Sequence, residues 1–431
     1  NIGSGLDYAT IQAAIDAPET SNGDTIIVDA GTYYENLTIS KSLSLIGDDF
    51  AITIIDGSSN ATVVNITANG VNLKGFTIRN SGPGYTGAGI LVSSANNTIS
   101  HNRIEDNGGN GIYLLSTSDG NNVSDNEVMN NTQSGIYVSS NHNTLSGNDI
   151  MDNQYYGVSL YSSSSNILDR NNIVNNAYGI SLHSSLENII SNDNVTGNDD
   201  GIFAWSYSYN NTYSGNEIQG NLQHGICFDS SYNNTVIENN LTDDGVGILL
   251  QSNSFNNILL QNNITGNRDC GLALQQSPDN VIYHNNFVNQ VNIDGFKGLI
   301  NMWDNGYPSG GNYWNNLNGN DMFRGTHQNE TGNDGIIDTA YVIDQNNIDL
   351  YPLIKPYAGP HDIGILQINT SEYYAGHMCI WVTVKVINYG EQTETFNLSL
   401  KANSTKIVTQ VVTLMSRNST RSEERRVGER V

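Results

Sequence analysis

SGIYVSSNHNTLSGNDIMDN, residues 134–153, is followed almost at once by two near-copies, YGVSLYSSSSNILDRNNIVNN (156–176) and YGISLHSSLENIISNDNVTGN (178–198). Gly followed by an apolar residue recurs at Gly89, Gly111, Gly135, Gly157, Gly179, Gly201, Gly225, Gly247 and Gly271, at steps of 22 to 24 residues. Fixed self-similarity of this length marks a repeat architecture. A second register runs in step, with Asn97, Asn121, Asn143, Asn166, Asn188, Asn211, Asn234, Asn257 and Asn280 each opening an N-x-apolar segment. Within a repeat the apolar residues alternate, as in Ile112 and Leu114 with Tyr113 between them, which is the period of a strand rather than a helix. Three short strands per repeat, stacked at about 4.8 Å, describe a parallel β-helix. One coil cannot bury its own inner face, so the phrase must be repeated for a core to exist.

Five residues after each opening Asn stands Asn102, Asn126, Asn148, Asn171, Asp193, Asn216, Asn239, Asn262 or Asn285. A bend between strands leaves backbone donors and acceptors pointing inward, and a carboxamide supplies both partners, so these residues are expected to form a buried Asn ladder interrupted by Asp193. The column needs covered ends. DYATIQAAID (7–16) is read as a helical lid with Ile11, Ala14 and Ile15 on one face and Asp7 as N-cap.

The formal charge of −26 arises with only 17 Lys and Arg, which argues against nucleic acid and anionic membranes as partners. No stretch has the apolar length of a membrane span. Cys227, Cys270 and Cys379 lack metal-ligand spacing and are read as free thiols. The chain starts at Asn1 without Met, so any signal peptide is expected to have been removed or to lie outside the sequence. About sixteen N-x-[ST] sequons, among them Asn36, Asn60, Asn96, Asn122, Asn194, Asn240, Asn263 and Asn397, fit a glycosylated exterior protein.

The lid followed by GDTIIVDAGTYYENL (23–37), GFTIRNS (75–81), the repeats, NMWDNGYPSGGNYW (301–314) and GNDGIIDTAYVID (332–344) together resemble the NosD-like, pectin-lyase-like superfamily, in particular archaeal surface proteins. That resemblance implies a right-handed parallel β-helix and an extracellular or cell-surface setting, while the fold hosts lyases, hydrolases, epimerases and adhesins alike. The expected organisation is a cap and first coils (1–85), regular repeats (86–290), a closing segment (291–357), a partial immunoglobulin-like adhesion domain resembling CARDB (358–415), and a basic tail (416–431). The fold class is all-β, a right-handed solenoid with an N-terminal capping helix plus a small partial C-terminal sandwich. Only four strands are readable in the last domain, so it looks truncated, and the tail, with Arg417, Arg421, Arg425, Arg426 and Arg430, is expected to be disordered or non-native.

Two sites are expected on the repeats. Outward Tyr113, Tyr137, Tyr161, Phe203 and Trp205, with Tyr156 and Tyr178 in the preceding turn, suit the apolar faces of sugar rings; the plain alternative is that they stack only to stabilise an exposed sheet. In the turns before the aligned glycines stand Asp199 and Asp200, then His224, then Asp243 and Asp244, then Arg268 and Asp269. Stacked on successive coils, Asp200 and Asp244 would lie roughly 10 Å apart, near the separation of an inverting glycosidase. DDG followed by HG is similar to part of the polygalacturonase pattern, although NAYG replaces its N-T-D and no R-x-K follows. Arg103, Arg170 and Arg268 are the only Lys or Arg between 86 and 290, too few to hold and deprotonate a uronate. No metal cluster or cofactor is expected; Asp321, Asp334, Asp338 and Asp344 would be the candidates for Ca²⁺, against the simpler role of turn capping. The reading is a glycan- or surface-polymer-binding protein of unknown oligomeric state, with a polysaccharide hydrolase or lyase and a purely structural surface-layer component as alternatives.

Overall fold

The repeat folds as read: its segments form three parallel sheets of twelve, thirteen and twelve strands, each strand between the ends pairing with its counterpart one coil before and one coil after. The computed structural model describes residues 8–84, 87–295 and 299–357, together with five strands between 363 and 427. It divides into two units, 1–357 and 358–431. The first sheet opens with Thr25–Val28, the second with Gly31–Tyr33 and the third with Leu37–Ile39.

Alternation places one residue of each three-residue strand outward and two inward, or the reverse, and strict register turns each inward position into a column. Ile112, Ile136, Val158, Ile180, Ile202, Ile226, Ile248 and Leu272 stack in one such column, all fully buried. The repeated glycine has its own cause. A Cβ on Gly111 would sit 2.6 Å from the Gly135 carbonyl oxygen, and one on Gly179 would sit 2.5 Å from that of Gly201. Only a residue without a side chain lets the backbone of adjacent coils approach this closely.

The bends carry three Asn ladders rather than one. Asn102, Asn126, Asn148, Asn171, Asn216, Asn239, Asn262 and Asn285 are buried on one bend with Asp193 among them. The Asn97 series, read as strand openers, forms a second, and a series not singled out in the sequence, Asn107, Asn131, Asn153, Asn176, Asn198, Asn221, Asp244, Asn267 and Asn289, forms a third. Between successive asparagine rungs the carboxamide oxygen accepts from both the backbone N–H and the side-chain Nδ2 of the preceding rung, as Asn171 does from Asn148 at 3.1 and 2.9 Å. Its own Nδ2 donates to the Leu145 carbonyl at 3.0 Å and to the next rung, Asp193. A residue in left-handed conformation commonly precedes the rung, such as His101, Asp125 or Gly147, and makes the bend tight.

The lid helix spans Ile11–Asp16, shorter than expected, and Thr10 caps it by accepting from the Ala13 N–H. Asp7, the expected cap, lies outside the described residues. Glu35 satisfies two more helix donors, the N–H groups of Ile11 and Gln12, at 2.9 Å each. At the other end, Asn301 and Asn312 end two ladders by donating backbone N–H to Asn347 and Asp349, and the indoles of Trp303 and Trp314 donate to the same two side chains. The stacked rings of Phe287, Trp314 and Tyr341 close the column beneath.

In the second unit Ile363–Thr370, Ile380–Asn388 and Ser419–Val427 form one antiparallel sheet, and Glu394–Ala402 pairs with Thr405–Leu414 in another. The fifth strand, Ser419–Val427, runs through the arginine-rich tail that was expected to be disordered or non-native.

Candidate functional site

From Tyr156–Tyr161 onward the strands of the third sheet lengthen from three residues to six. The extension raises three outward columns. The middle one carries Tyr113, Tyr137, Ser159, Ser181, Phe203, Cys227, Leu249 and Ala273. One flank carries Tyr161, His183, Trp205, Asp229, Gln251 and Gln275, and the other Tyr156, Tyr178, Asp200, His224, Val246 and Cys270. Ser159, Ser181, Cys227, Leu249 and Ala273 point outward yet are buried, because the longer side chains of the flanks shield them. The result is a face whose middle column of mostly small residues is covered by the side chains of its flanks.

Aromatic rings dominate its first half. Tyr113 meets Tyr137 edge-on with centroids 5.0 Å apart; Tyr137 stacks on Tyr161 at 6.1 Å, Tyr161 on His183 at 4.6 Å, and His183 meets Trp205 at 4.2 Å. Phe203 stacks beside Trp205 and on Tyr178, which continues to Tyr156. The five rings expected from the sequence therefore share one patch. Tyr156 and Tyr178 belong to its strands, not to turns, and His183 completes the row. His183 was hidden because a single His among serines has no periodic signal. Desolvation between the rings holds its imidazole below the usual pKa, so it stacks as a neutral ring. The Trp205 indole donates to Ser181 Oγ at 3.3 Å, which orients it over the middle column.

The expected acid cluster is only partly brought together. Asp200 and His224 are neighbours in register, with His224 Nδ1 at 2.5 Å from Asp200 Oδ1. Asp199 is exposed at the strand entrance. Asp244 does not belong to this site. The residue in register with His224 is Val246, and Asp244 is a rung of the third ladder, fully buried and accepting from the Asn221 N–H and Nδ2 at 2.8 and 2.9 Å. The spacing between rung and glycine shifts between three and four residues, which is why alignment on glycine misplaced it. Arg268 reaches back to the carbonyls of Asn221 and Leu222 at 3.0 and 2.6 Å and serves the backbone. The paired carboxylates of an inverting glycosidase are therefore absent from this cluster.

Burial pushes the Cys270 thiol up to about 12 and the Cys227 thiol well above its ordinary value, so neither is a nucleophile near neutral pH. Cys379 lies outside the described residues. The acidic residues of the closing segment are turn caps: Asp321 accepts from the N–H groups of Asp334 and Gly335, Asp338 from those of Met322 and Phe323, Asp334 from that of Ile336, and Asp344 from those of Asn346 and Asn347. Among the described residues no three His, Cys, Asp or Glu side chains gather as a metal site requires, and no helix is long and apolar enough to cross a membrane.

A family profile described as the right handed beta helix region matches residues 21–218, 134–288 and 207–336. Over 78 residues the chain is 41% identical to a cell surface glycoprotein of Methanothermus fervidus, a match covering 18% of this chain and 13% of that protein. Among solved structures it is similar in fold to the A-module of the Azotobacter vinelandii mannuronan C-5 epimerase AlgE6, with a TM-score of 0.58 and 18% identity over 68% of this chain and 92% of that one. It is similar likewise to the Dettilon tailspike protein, with a TM-score of 0.51 and 13% identity over 92% of this chain and 86% of that one.

Proposed function

The chain belongs to the right-handed β-helix family, and from that premise we propose that it is a secreted or cell-surface protein that binds carbohydrate along the outer face of its third sheet. The observation that carries this reading is the continuous row Tyr113, Tyr137, Tyr161, His183 and Trp205, five rings on five successive coils. Rings spaced at the coil repeat offer apolar faces to successive sugar units, while the exposed Tyr161 offers its hydroxyl as a polar edge. The name of one similar protein, a cell surface glycoprotein, supports the surface setting, and that of another, a mannuronan epimerase, supports a polysaccharide as the ligand class without supporting an acidic one. The shortage of cations on the repeats favours a neutral or cationic polymer over a uronate.

Tyr161→Ala with Trp205→Ala is expected to lower retention on a bound polysaccharide by roughly tenfold or more, since each ring contact contributes on the order of 1 kcal/mol. The melting temperature should fall by only a few degrees, because the inward columns and ladders are untouched. Loss of fold with no specific loss of retention would leave the rings as sheet-stabilising stacks alone. A second reading, bond cleavage, is favoured by one observation: the Asp200–His224 pair stands beside Tyr178 at the edge of the ring patch. There Asp200 would orient the imidazole as a general base. Product release that vanishes in His224→Gln while retention persists would establish it; retention of an uncleaved polymer by the unmutated protein supports binding alone.

A further inference from the structure

A second aromatic column lies outside this face, on the bend between the third and first sheets. Tyr209, Tyr232 and Phe255 occupy equivalent places in three successive coils, with centroids 5.2 and 5.0 Å apart and planes inclined by 0° and 6°. Each is half-buried, so one side of the stack faces solvent. The residue after each tyrosine is an asparagine at the apex of the bend, Asn210 at φ 57° and Asn233 at φ 56°, and both are exposed. Among the described residues neither carboxamide makes a hydrogen bond. The next residues, Asn211 and Asn234, turn inward as ladder rungs, and Thr212 and Thr235 follow, so both apex asparagines complete N-x-T acceptor sequences.

The sequons on strands are placed differently. Asn194, Asn240 and Asn263 lie in an outer row of the second sheet, where their Nδ2 groups donate to Asn172, Glu217 and Asn240 at 2.6 to 2.7 Å. A sugar there would break that row and meet the next coil. The strands of the third sheet from Ile112 to Gln275 contain no asparagine at all, so its binding face has no acceptor.

We propose that Asn210 and Asn233 are N-glycosylated and that the first sugar of each glycan rests against the Tyr209–Tyr232–Phe255 stack. In the transfer, Asn Nδ2 attacks the anomeric carbon of a lipid-phosphate-linked oligosaccharide. The C–N bond forms as the bond from that carbon to the phosphate oxygen breaks, the lipid phosphate departs with the bonding pair, and one amide proton passes to the transferase base. The apex geometry leaves Nδ2 free for this attack, and the rings give the attached sugar an apolar face to lie on. This inference shares with the functional reading only the placement of the chain outside the cell.

The test is glycopeptide mass mapping of the protein purified from the cells that make it. Peptides containing Asn210 and Asn233 should carry glycan mass, while those containing Asn240 and Asn263 remain unmodified. Thr212→Ala with Thr235→Ala, which removes both acceptors, should lower the melting temperature relative to the glycosylated protein, and that difference should shrink when Tyr209 and Tyr232 are also Ala. Unmodified Asn210 and Asn233 would overturn the proposal. Occupied sites whose stabilising effect is indifferent to the rings would overturn the docking. Carbohydrate retention by the third sheet is a separate readout and is unaffected by either result.

Discussion

Asn171→Leu is expected to destabilise the solenoid by about 5 kcal/mol, because it removes at once the partners of the Asn148 N–H, the Asn148 Nδ2, the Leu145 carbonyl and the Asp193 carboxyl, each worth roughly 1–3 kcal/mol when left buried and unpaired. Leucine adds apolar volume but cannot satisfy any of these groups. Ser146→Ala, outward on the preceding coil two residues before Asn148, should change stability by no more than about 0.5 kcal/mol. Denaturant midpoints of the two variants, read together with amide exchange of the adjacent coils, measure the difference, since a repeat array can open locally before it unfolds as a whole. Equal midpoints would mean that the ladders do not hold the bends.

Stability should also fall as pH rises from about 4 to 7, an unusual direction for so acidic a chain. Asp193 and Asp244 stand at ladder rungs, each accepting at Oδ1 from the rung before, while Oδ2 has no partner. In an asparagine rung that position is Nδ2, a donor to the next carboxamide. A neutral carboxyl can supply the same donation, a charged one cannot. Burial is the main cause that raises both groups to about 7, against hydrogen bonds from Asn171 and Asn221; Asp169 and Asp243 add repulsion, and Arg268 pulls Asp244 down. The unfolded chain loses these protons near pH 4. Between about 4 and 7 the folded state therefore binds more protons than the unfolded one. Its stability is full below that window and drops by about 1.4 kcal/mol per pH unit for each group until the folded value is passed. Asp349, also raised to about 7 by burial, adds to the slope. Asp193→Asn with Asp244→Asn should flatten most of the profile and raise the denaturant midpoint at pH 7. An unchanged slope in the double variant would show that both carboxyls are ionised in the folded protein.

The solenoid was legible because its physics is periodic: the Gly111 to Gly271 series, the alternation around Tyr113 and the Asn102 series each repeat the same constraint coil after coil. The third ladder was legible as well, since Asn107, Asn131, Asn153, Asn176, Asn198, Asn221 and Asp244 stand five residues after the Asn102 series in every coil. It was obscured by counting from glycine, where insertions of one or two residues change the offset. That error carried Asp244 into a catalytic cluster it does not join. The rings of the third sheet could be placed on its outer face from alternation alone. Their contact across columns could not, because it depends on the strands lengthening to six residues and on His183 lying between Tyr161 and Trp205. The roles of Trp303 and Trp314 were out of reach for the same reason: their partners, Asn347 and Asp349, are distant in sequence and follow no repeat.

The central claim is that the third-sheet face holds carbohydrate. Trp205 is half-buried on that face, whereas Trp303 and Trp314 are sealed in the closing segment and Trp381 belongs to the second unit, so a change in emission that is lost in Trp205→Phe reports on the site. Titration of the protein with a panel of neutral, amino and acidic polysaccharides, followed by tryptophan fluorescence, is the direct test. A saturable change with at least one neutral or amino polymer, absent in Trp205→Phe, is the expected result. No change with any member of the panel, or the same change in Trp205→Phe, would contradict it.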